Sequence, residues 1–254
     1  MFRAVIPARF ASTRLPGKPL ANLGGKPMVR HVHERVVASG AAEVIVATDD
    51  ARVAAACVEF GAEVQMTSAE HPSGTDRLAE VAARRGWRDT EVVVNVQGDE
   101  PLLPPVLVQQ VAGLLHADPG ADIATLGTPI GSLEEFMDPA VVKVVRRADG
   151  RALYFSRAPI PWHREGAPSG ITSQREFAGA WRHLGLYAYR VGALKRLAAA
   201  EPAPLELAEK LEQLRALYLG MAIAVSEAVE RPGPGVDTPE DLERLRAMLR
   251  RDPN

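Results

Sequence analysis

Three cations fall within ten residues near the start of the chain, Arg9, Arg14 and Lys18, in the run Pro7-Ala8-Arg9-Phe10-Ala11-Ser12-Thr13-Arg14-Leu15-Pro16-Gly17-Lys18. A polyphosphate calls for several distributed positive donors. Arginine offers a bidentate fork, and lysine offers a mobile point charge. Ser12 and Thr13 add hydroxyls, and Gly17 allows close backbone N–H groups. The run is neither Gly-x-x-x-x-Gly-Lys-Ser/Thr nor Gly-x-Gly-x-x-Gly, so neither familiar phosphate fingerprint is present. A solvated basic loop is the plainer reading of the same residues.

Two carboxylates have the type and placement for a hard cation. Asp99 follows a run rich in β-branched residues, Val92-Val93-Val94-Asn95-Val96. Asp237 precedes Thr238-Pro239-Glu240-Asp241. There Thr238 serves as helix N-cap, Pro239 as first helical residue and Asp241 as the capping-box acid, which leaves Asp237 free of that duty. Mg²⁺ takes carboxylate oxygens together with substrate phosphates. For Asp99, a cap on the turn before Pro104-Pro105 is the alternative.

Position decides whether such residues meet. Short apolar runs at 2–6, 43–47, 62–66, 92–96 and 122–128 read as strands. Between them, 26–39, 51–60, 76–85 and 105–115 read as helices, three of them followed by a glycine. Strands of about five residues alternating with longer helices predict βαβ units and a parallel sheet covered on both faces. Ligands of such sheets bind at the carboxyl ends of the strands, where the basic run and Asp99 both fall. The second half is less regular. Residues 141–147 and 151–155 read as a hairpin across Asp149-Gly150, and 166–177 as a loop. Residues 184–190 and 222–227 read as strands, and 191–199, 205–218 and 238–250 as helices. The expectation is a single α/β domain over 1–254, Rossmann-like and three-layered. Its sheet is mostly parallel, with a small antiparallel insertion at about 141–190 for substrate recognition or dimerisation.

The 254 residues are 46% hydrophobic and 24% charged, with a net charge of −2. This excludes a strongly basic nucleic-acid binder and an acidic disordered chain as whole-chain descriptions. The single cysteine, Cys57, excludes a disulfide framework and multi-cysteine zinc sites, and its alanine-rich surroundings place it in the core. No apolar run is long enough to span a membrane, and the first residues lack a signal-peptide pattern, so a cytoplasmic protein is expected.

The basic run resembles the signature of the CMP-sugar-acid synthetases, within the nucleotide-diphospho-sugar transferase type of fold. Further segments are similar to the same family in the same order: Ser73-Gly74-Thr75-Asp76-Arg77, Val94-Asn95-Val96-Gln97-Gly98-Asp99-Glu100-Pro101, Tyr154-Phe155-Ser156-Arg157-Ala158-Pro159-Ile160-Pro161-Trp162, His183-Leu184-Gly185-Leu186-Tyr187, Leu211-Glu212-Gln213-Leu214-Arg215 and Gly235-Val236-Asp237-Thr238-Pro239. The likeness covers nearly the whole chain and is strongest to the branch that activates 3-deoxy-D-manno-octulosonate. It implies catalytic roles for Arg9, Arg14 and Lys18. It implies nucleotide contacts from Ala8, Arg9, Ser12, Thr13, Lys18, Ser73, Thr75, Arg77 and Gln97. It places Arg157, His183, Tyr187, Glu212 and Gln213 at the acceptor sugar, and Mg²⁺ on Asp99 and Asp237. It also implies a homodimer, with the hairpin region as a contact.

Bland readings stand beside several of these. Ser73 or Thr75 can simply cap a helix. His183 can be an ordinary strand-end histidine, and Tyr187 plain core. Glu212 and Gln213, adjacent on a helix, point about 100° apart, so one pocket takes both only by wrapping that helix. The implied reaction is attack of the sugar's anomeric hydroxyl on the α-phosphate of CTP, with pyrophosphate leaving opposite. The alternatives are a cytidylyltransferase for another nonulosonic acid such as sialic acid, and a non-catalytic nucleotide-binding regulatory module. The module would be expected to lack the metal carboxylates.

Overall fold

β1 (Arg3–Pro7) turns Ala4 and Ile6 to one side of the sheet and Val5 to the other, and all three are fully buried. A strand apolar on both sides needs cover on both sides. In the computed structural model, which describes residues 1–11, 14–167 and 169–251, the following elements supply that cover. A short hairpin, β2 (Asn22–Leu23) and β3 (Lys26–Pro27), leads into α1 (Met28–Ala38). Then β4 (Val44–Thr48), α2 (Ala51–Glu59), β5 (Glu63–Met66), α3 (Gly74–Arg84), β6 (Val92–Asn95), α4 (Pro105–Ala117) and β7 (Ile123–Pro129) alternate. On the Ala4 side lie α1 through Val32 and Val36, α2 through Val53 and Cys57, and α4 through Leu107 and Val111. On the Val5 side lies α3 through Leu78 and Val81.

The second half contributes α5 (Leu133–Met137), β8 (Lys143–Arg146), β9 (Ala152–Ser156), β10 (Trp181–Arg190), α6 (Val191–Ala199), α7 (Pro204–Glu209), α8 (Gln213–Tyr218), β11 (Ile223–Glu227) and α9 (Pro239–Arg251). α6 and α8 complete the Val5-side layer through Leu194 and Leu214. The main sheet runs β11-β7-β10-β6-β1-β4-β5. β1 pairs in parallel with β4 (Val5 opposite Ile45) and with β6 (Ala4 opposite Val94). β10 is antiparallel to both its neighbours, with Ala188 opposite Val94 and Ala124. This is the expected three-layer α/β architecture with a mostly parallel sheet. Among the described residues, no helix is long and apolar enough to cross a membrane.

Three differences from the sequence reading have physical causes. The stretch at 141–190 is not a separate insertion throughout. Its hairpin is β8 and β9, but its last strand, β10, lies between β6 and β7 in the main sheet. Helix α5 was not anticipated, because five residues are too few to show a helical period. Residues 205–218 form two helices rather than one. α7 ends at Lys210, which sits in the left-handed region (φ 55°, ψ 48°), and α8 restarts with Glu212 as its N-cap.

No glycine or proline marks that break, so tertiary contacts must make it. Glu206 accepts from the Ala203 N–H (3.0 Å) and forms a buried bidentate pair with Arg215 (2.7 and 2.5 Å). Arg215 also donates to the carbonyls of Leu197 and Ala200, which ties α6, α7 and α8 together. A buried pair is costly to break because the surviving charge is left uncompensated. Arg215→Ala is expected to lower unfolding stability by about 3–5 kcal/mol in urea denaturation; a loss below about 1 kcal/mol would contradict this role.

Candidate active site

The C-terminal ends of β1, β4, β5 and β6 share one edge of the sheet, and a cleft of about 420 Å³ opens there. Ala8 is held at its floor. Its N–H donates to the Ala47 carbonyl (2.8 Å), and its own carbonyl accepts from the Thr48 hydroxyl (2.6 Å). Gly17 (φ 71°) closes the loop by donating to the Phe10 carbonyl (3.1 Å) and delivers Lys18 into a short 3₁₀ turn. Gly98 lets the loop after β6 lie directly on the loop after β1. A Cβ there would stand 2.9 Å from the Pro7 carbonyl oxygen.

Lys18 occupies the junction of these loops. Its Nζ donates to Asp99 Oδ2 (2.7 Å), to Asp237 Oδ1 (3.0 Å) and to the Val236 carbonyl (2.9 Å). An ammonium has three protons, so all are engaged. The Val236 N–H also donates to the Asp99 carbonyl (2.9 Å). α9 anchors this segment, because Val236, Leu242 and Leu245 pack with Leu23 and Met28. Thr238 and Asp241 form the expected cap: Thr238 accepts from the Asp241 N–H, and Asp241 accepts from the N–H groups of Asp237 and Thr238. The Asp237 carboxylate therefore faces Lys18, with Arg14 on its exposed side (3.2 Å). Asp99 and Asp237 are the pair that could share a small cation. No group of three or more His, Cys, Asp or Glu side chains suited to a metal occurs among the described residues.

The nucleotide-side residues divide. Arg9 lines the cleft, and Gln97 stands between it and a second cavity of about 370 Å³. Ser73 lines the cleft and also caps α3, accepting from the Asp76 N–H. Thr75 is buried and donates to Glu212 (2.6 Å), so α3 is joined to the start of α8. Arg77 lines the cleft but is 2% exposed, its guanidinium held by Asp49 (3.0 Å) and Thr67. Ser12 and Thr13 lie outside the described residues.

The acceptor-side residues divide as well. Tyr187, Glu212 and Gln213 line the cleft together. The helix break makes this possible, since Glu212 is a cap and Gln213 the first residue of α8. Burial pushes the Glu212 carboxyl up, against the bond from Thr75. His183 instead faces the second cavity, bonded to Thr125 (3.0 Å) and stacked near Tyr187. Burial pushes it down to about 3, so it stays neutral. Arg157 lines neither space. Its Nε and Nη1 donate to the carbonyls of Glu209 (2.8 Å) and Pro139 (3.0 Å).

Four polar lining residues among those described escaped the sequence reading. Asn95 is 2% exposed and its Oδ1 has no hydrogen-bond partner, as is also true of Gln213 Nε2. A polar residue inside a β-branched strand was the available signal for Asn95. His71, held by Glu80 (2.5 Å), and Tyr189 had no distinguishing pattern. Lys210 was hidden inside what read as a helix.

Residues 3–223 match the cytidylyltransferase family. The 3-deoxy-manno-octulosonate cytidylyltransferase of Halorhodospira halophila is 57% identical over 249 residues, 98% of this chain and 96% of that one. Its counterpart in Alkalilimnicola ehrlichii is 58% identical over the same shares. A CMP:2-keto-3-deoxy-manno-octonic acid synthetase solved in complex with CTP superposes with a TM-score of 0.87 at 43% identity, covering 98% of both chains. A cytidylyltransferase of Leptospira borgpetersenii shares the fold, with a TM-score of 0.63 at 18% identity over 98% of this chain and 87% of that one.

Burial pushes the Glu100 carboxyl up to about 7, with Asp99 beside it adding to the shift and Arg182 opposing it. A carboxyl raised in the fold stabilises the fold below its unfolded value and loses that contribution as pH rises through about 7. Glu100→Gln, melted without divalent cations, is expected to gain Tm over the unsubstituted protein at pH 8 and to lose that gain toward pH 5. A gap that does not change with pH would contradict the assignment.

Proposed function

The chain belongs to the cytidylyltransferase family, and from that premise we infer that it joins CTP to 3-deoxy-D-manno-octulosonate, releasing pyrophosphate and feeding lipopolysaccharide synthesis. One observation carries this reading. A single cleft brings the phosphate loop, the Asp99–Asp237 pair and the Tyr187, Glu212 and Gln213 wall face to face. The CTP named for the 43%-identical structure supports the nucleotide.

The reaction is chiefly one of positioning and charge stabilisation. The acceptor's anomeric oxygen forms a bond to the α-phosphorus. The bond from that phosphorus to the oxygen bridging to the β-phosphorus breaks, and pyrophosphate departs in line. Arg9 and Arg14 meet the phosphates, and Ala8 lies at the floor. The unpartnered Asn95 Oδ1 and Gln213 Nε2 present an acceptor and a donor that a bound substrate can satisfy.

The donor set fits Mg²⁺. Asp99 and Asp237 offer hard oxygens that already converge on one cation, the Lys18 ammonium, within 3.0 Å. Those two residues would hold the metal, which when bound neutralises phosphate charge and lowers the hydroxyl's pKa. With those carboxylates holding a metal, the Lys18 ammonium would be available to phosphate.

The test is pyrophosphate release with Mg²⁺, the octulosonate and each of the four nucleoside triphosphates. Release is expected only with CTP and the sugar acid together. Turnover confined to another nonulosonic acid would move the acceptor, and CTP binding without turnover would favour the regulatory module. Lys18→Met is expected to slow release by about 10²–10³-fold. Asp237→Asn is expected to raise the Mg²⁺ concentration for half-maximal rate by about tenfold or more. An unchanged Mg²⁺ titration would remove Asp237 from the metal site.

A further inference from the structure

The cations on the cleft are mostly engaged. Lys18 gives its protons to Asp99, Asp237 and Val236, Arg14 leans on Asp237, and Arg77 is buried against Asp49 and Thr67. Arg9 and Lys210 line the cleft as exposed residues, and among the described residues neither side chain has a hydrogen-bond or ion-pair partner. They stand on different walls. Arg9 belongs to the loop after β1, beside the phosphate-binding residues. Lys210 belongs to the break between α7 and α8, just before Leu211, Glu212 and Gln213.

CTP and a sugar acid bring anions of two kinds, a triphosphate and a carboxylate. Arg157, which the resemblance places at the acceptor sugar, gives Nε and Nη1 to two backbone carbonyls and lines no cavity described above. Resting on the function inferred above, we propose that Lys210 is the specificity-determining residue that pairs with the acceptor's carboxylate, and that Arg157 positions it.

The backbone supports this division of labour. Glu209, next to Lys210, is fixed from three sides. Its carbonyl takes Arg157 Nε (2.8 Å), and its carboxylate takes the Ser156 hydroxyl (2.6 Å) and the Arg157 N–H (2.9 Å). The clamp holds Lys210 at φ 55°, the one left-handed residue other than glycine among those described. Glycine would adopt that angle without strain. A long cationic side chain stands there, at the mouth of the cleft, where glycine would meet the backbone's need at lower cost.

Lys210→Met keeps the apolar stem and removes the charge. With CTP saturating, it is expected to raise KM for the octulosonate about tenfold to a hundredfold, the worth of a charge-assisted hydrogen bond. The KM for CTP and kcat should stay within about twofold. Lys210→Arg should recover most of the loss. Lys210→Gly, which relieves the backbone angle and so keeps the fold, should show the same rise as Lys210→Met. An unchanged acceptor KM in Lys210→Met, or a rise that Lys210→Gly does not share, would overturn the proposal while leaving the cytidylyltransferase reading intact. A rise in the KM for CTP instead would place Lys210 on the triphosphate and overturn it too. No pyrophosphate release by the unsubstituted protein with CTP and octulosonate would overturn both.

Discussion

The ammonium of Lys18 joins the loop after β1, the end of β6 and the segment before α9, which lie 81 and 219 residues from it in the chain. Lysine 18 is 14% exposed, Asp99 30% and Asp237 49%. Two carboxylates this close repel each other unless a cation stands between them. The lysine supplies that cation from the protein itself. The arrangement closes the cleft's corner and keeps the two carboxylates assembled.

The rest of the structure delivers these three segments to one place. Parallel β1 and β6 lie side by side, so their ends and following loops are neighbours. Gly98 permits the loops to touch. The Leu23, Met28, Val236 and Leu242 cluster binds α9 back onto the first hairpin, which sets Asp237 opposite Asp99. The opposite wall depends on a different pair. Glu206 and Arg215 join α6, α7 and α8, and Thr75 reaches from α3 to Glu212. One wall is set by a partly exposed ion cluster and the other by a buried one.

Alternating apolar runs made the layers and the parallel half of the sheet legible, because period and length reflect burial directly. The loop of Arg9, Arg14 and Lys18 and the carboxylate of Asp99 were legible from residue type and from the strand ends they follow, and Asp237 from the capped helix start it precedes. Their mutual pairing was not, since nothing in spacing says that Lys18 would reach the carboxylates. The helix expected at 205–218 failed for a related reason. Its local pattern is helical throughout, and the break at Lys210 comes from contacts that periodicity does not record: Glu206 and Arg215 pair across it, and Arg157 holds the Glu209 carbonyl from outside the segment. Arg157 and Arg77 had the right chemistry for ligands, yet both guanidinium groups are committed to protein partners. A sequence shows which side chains could bind. It does not show which are already bound.

Lys18 and Asp99 act as one coupled unit. A double-mutant cycle with Lys18→Met, Asp99→Asn and the combined variant, read as urea unfolding free energies without divalent cations, measures this directly. The expected coupling is about 1 kcal/mol or more. Additive losses, within about 0.3 kcal/mol, would contradict it.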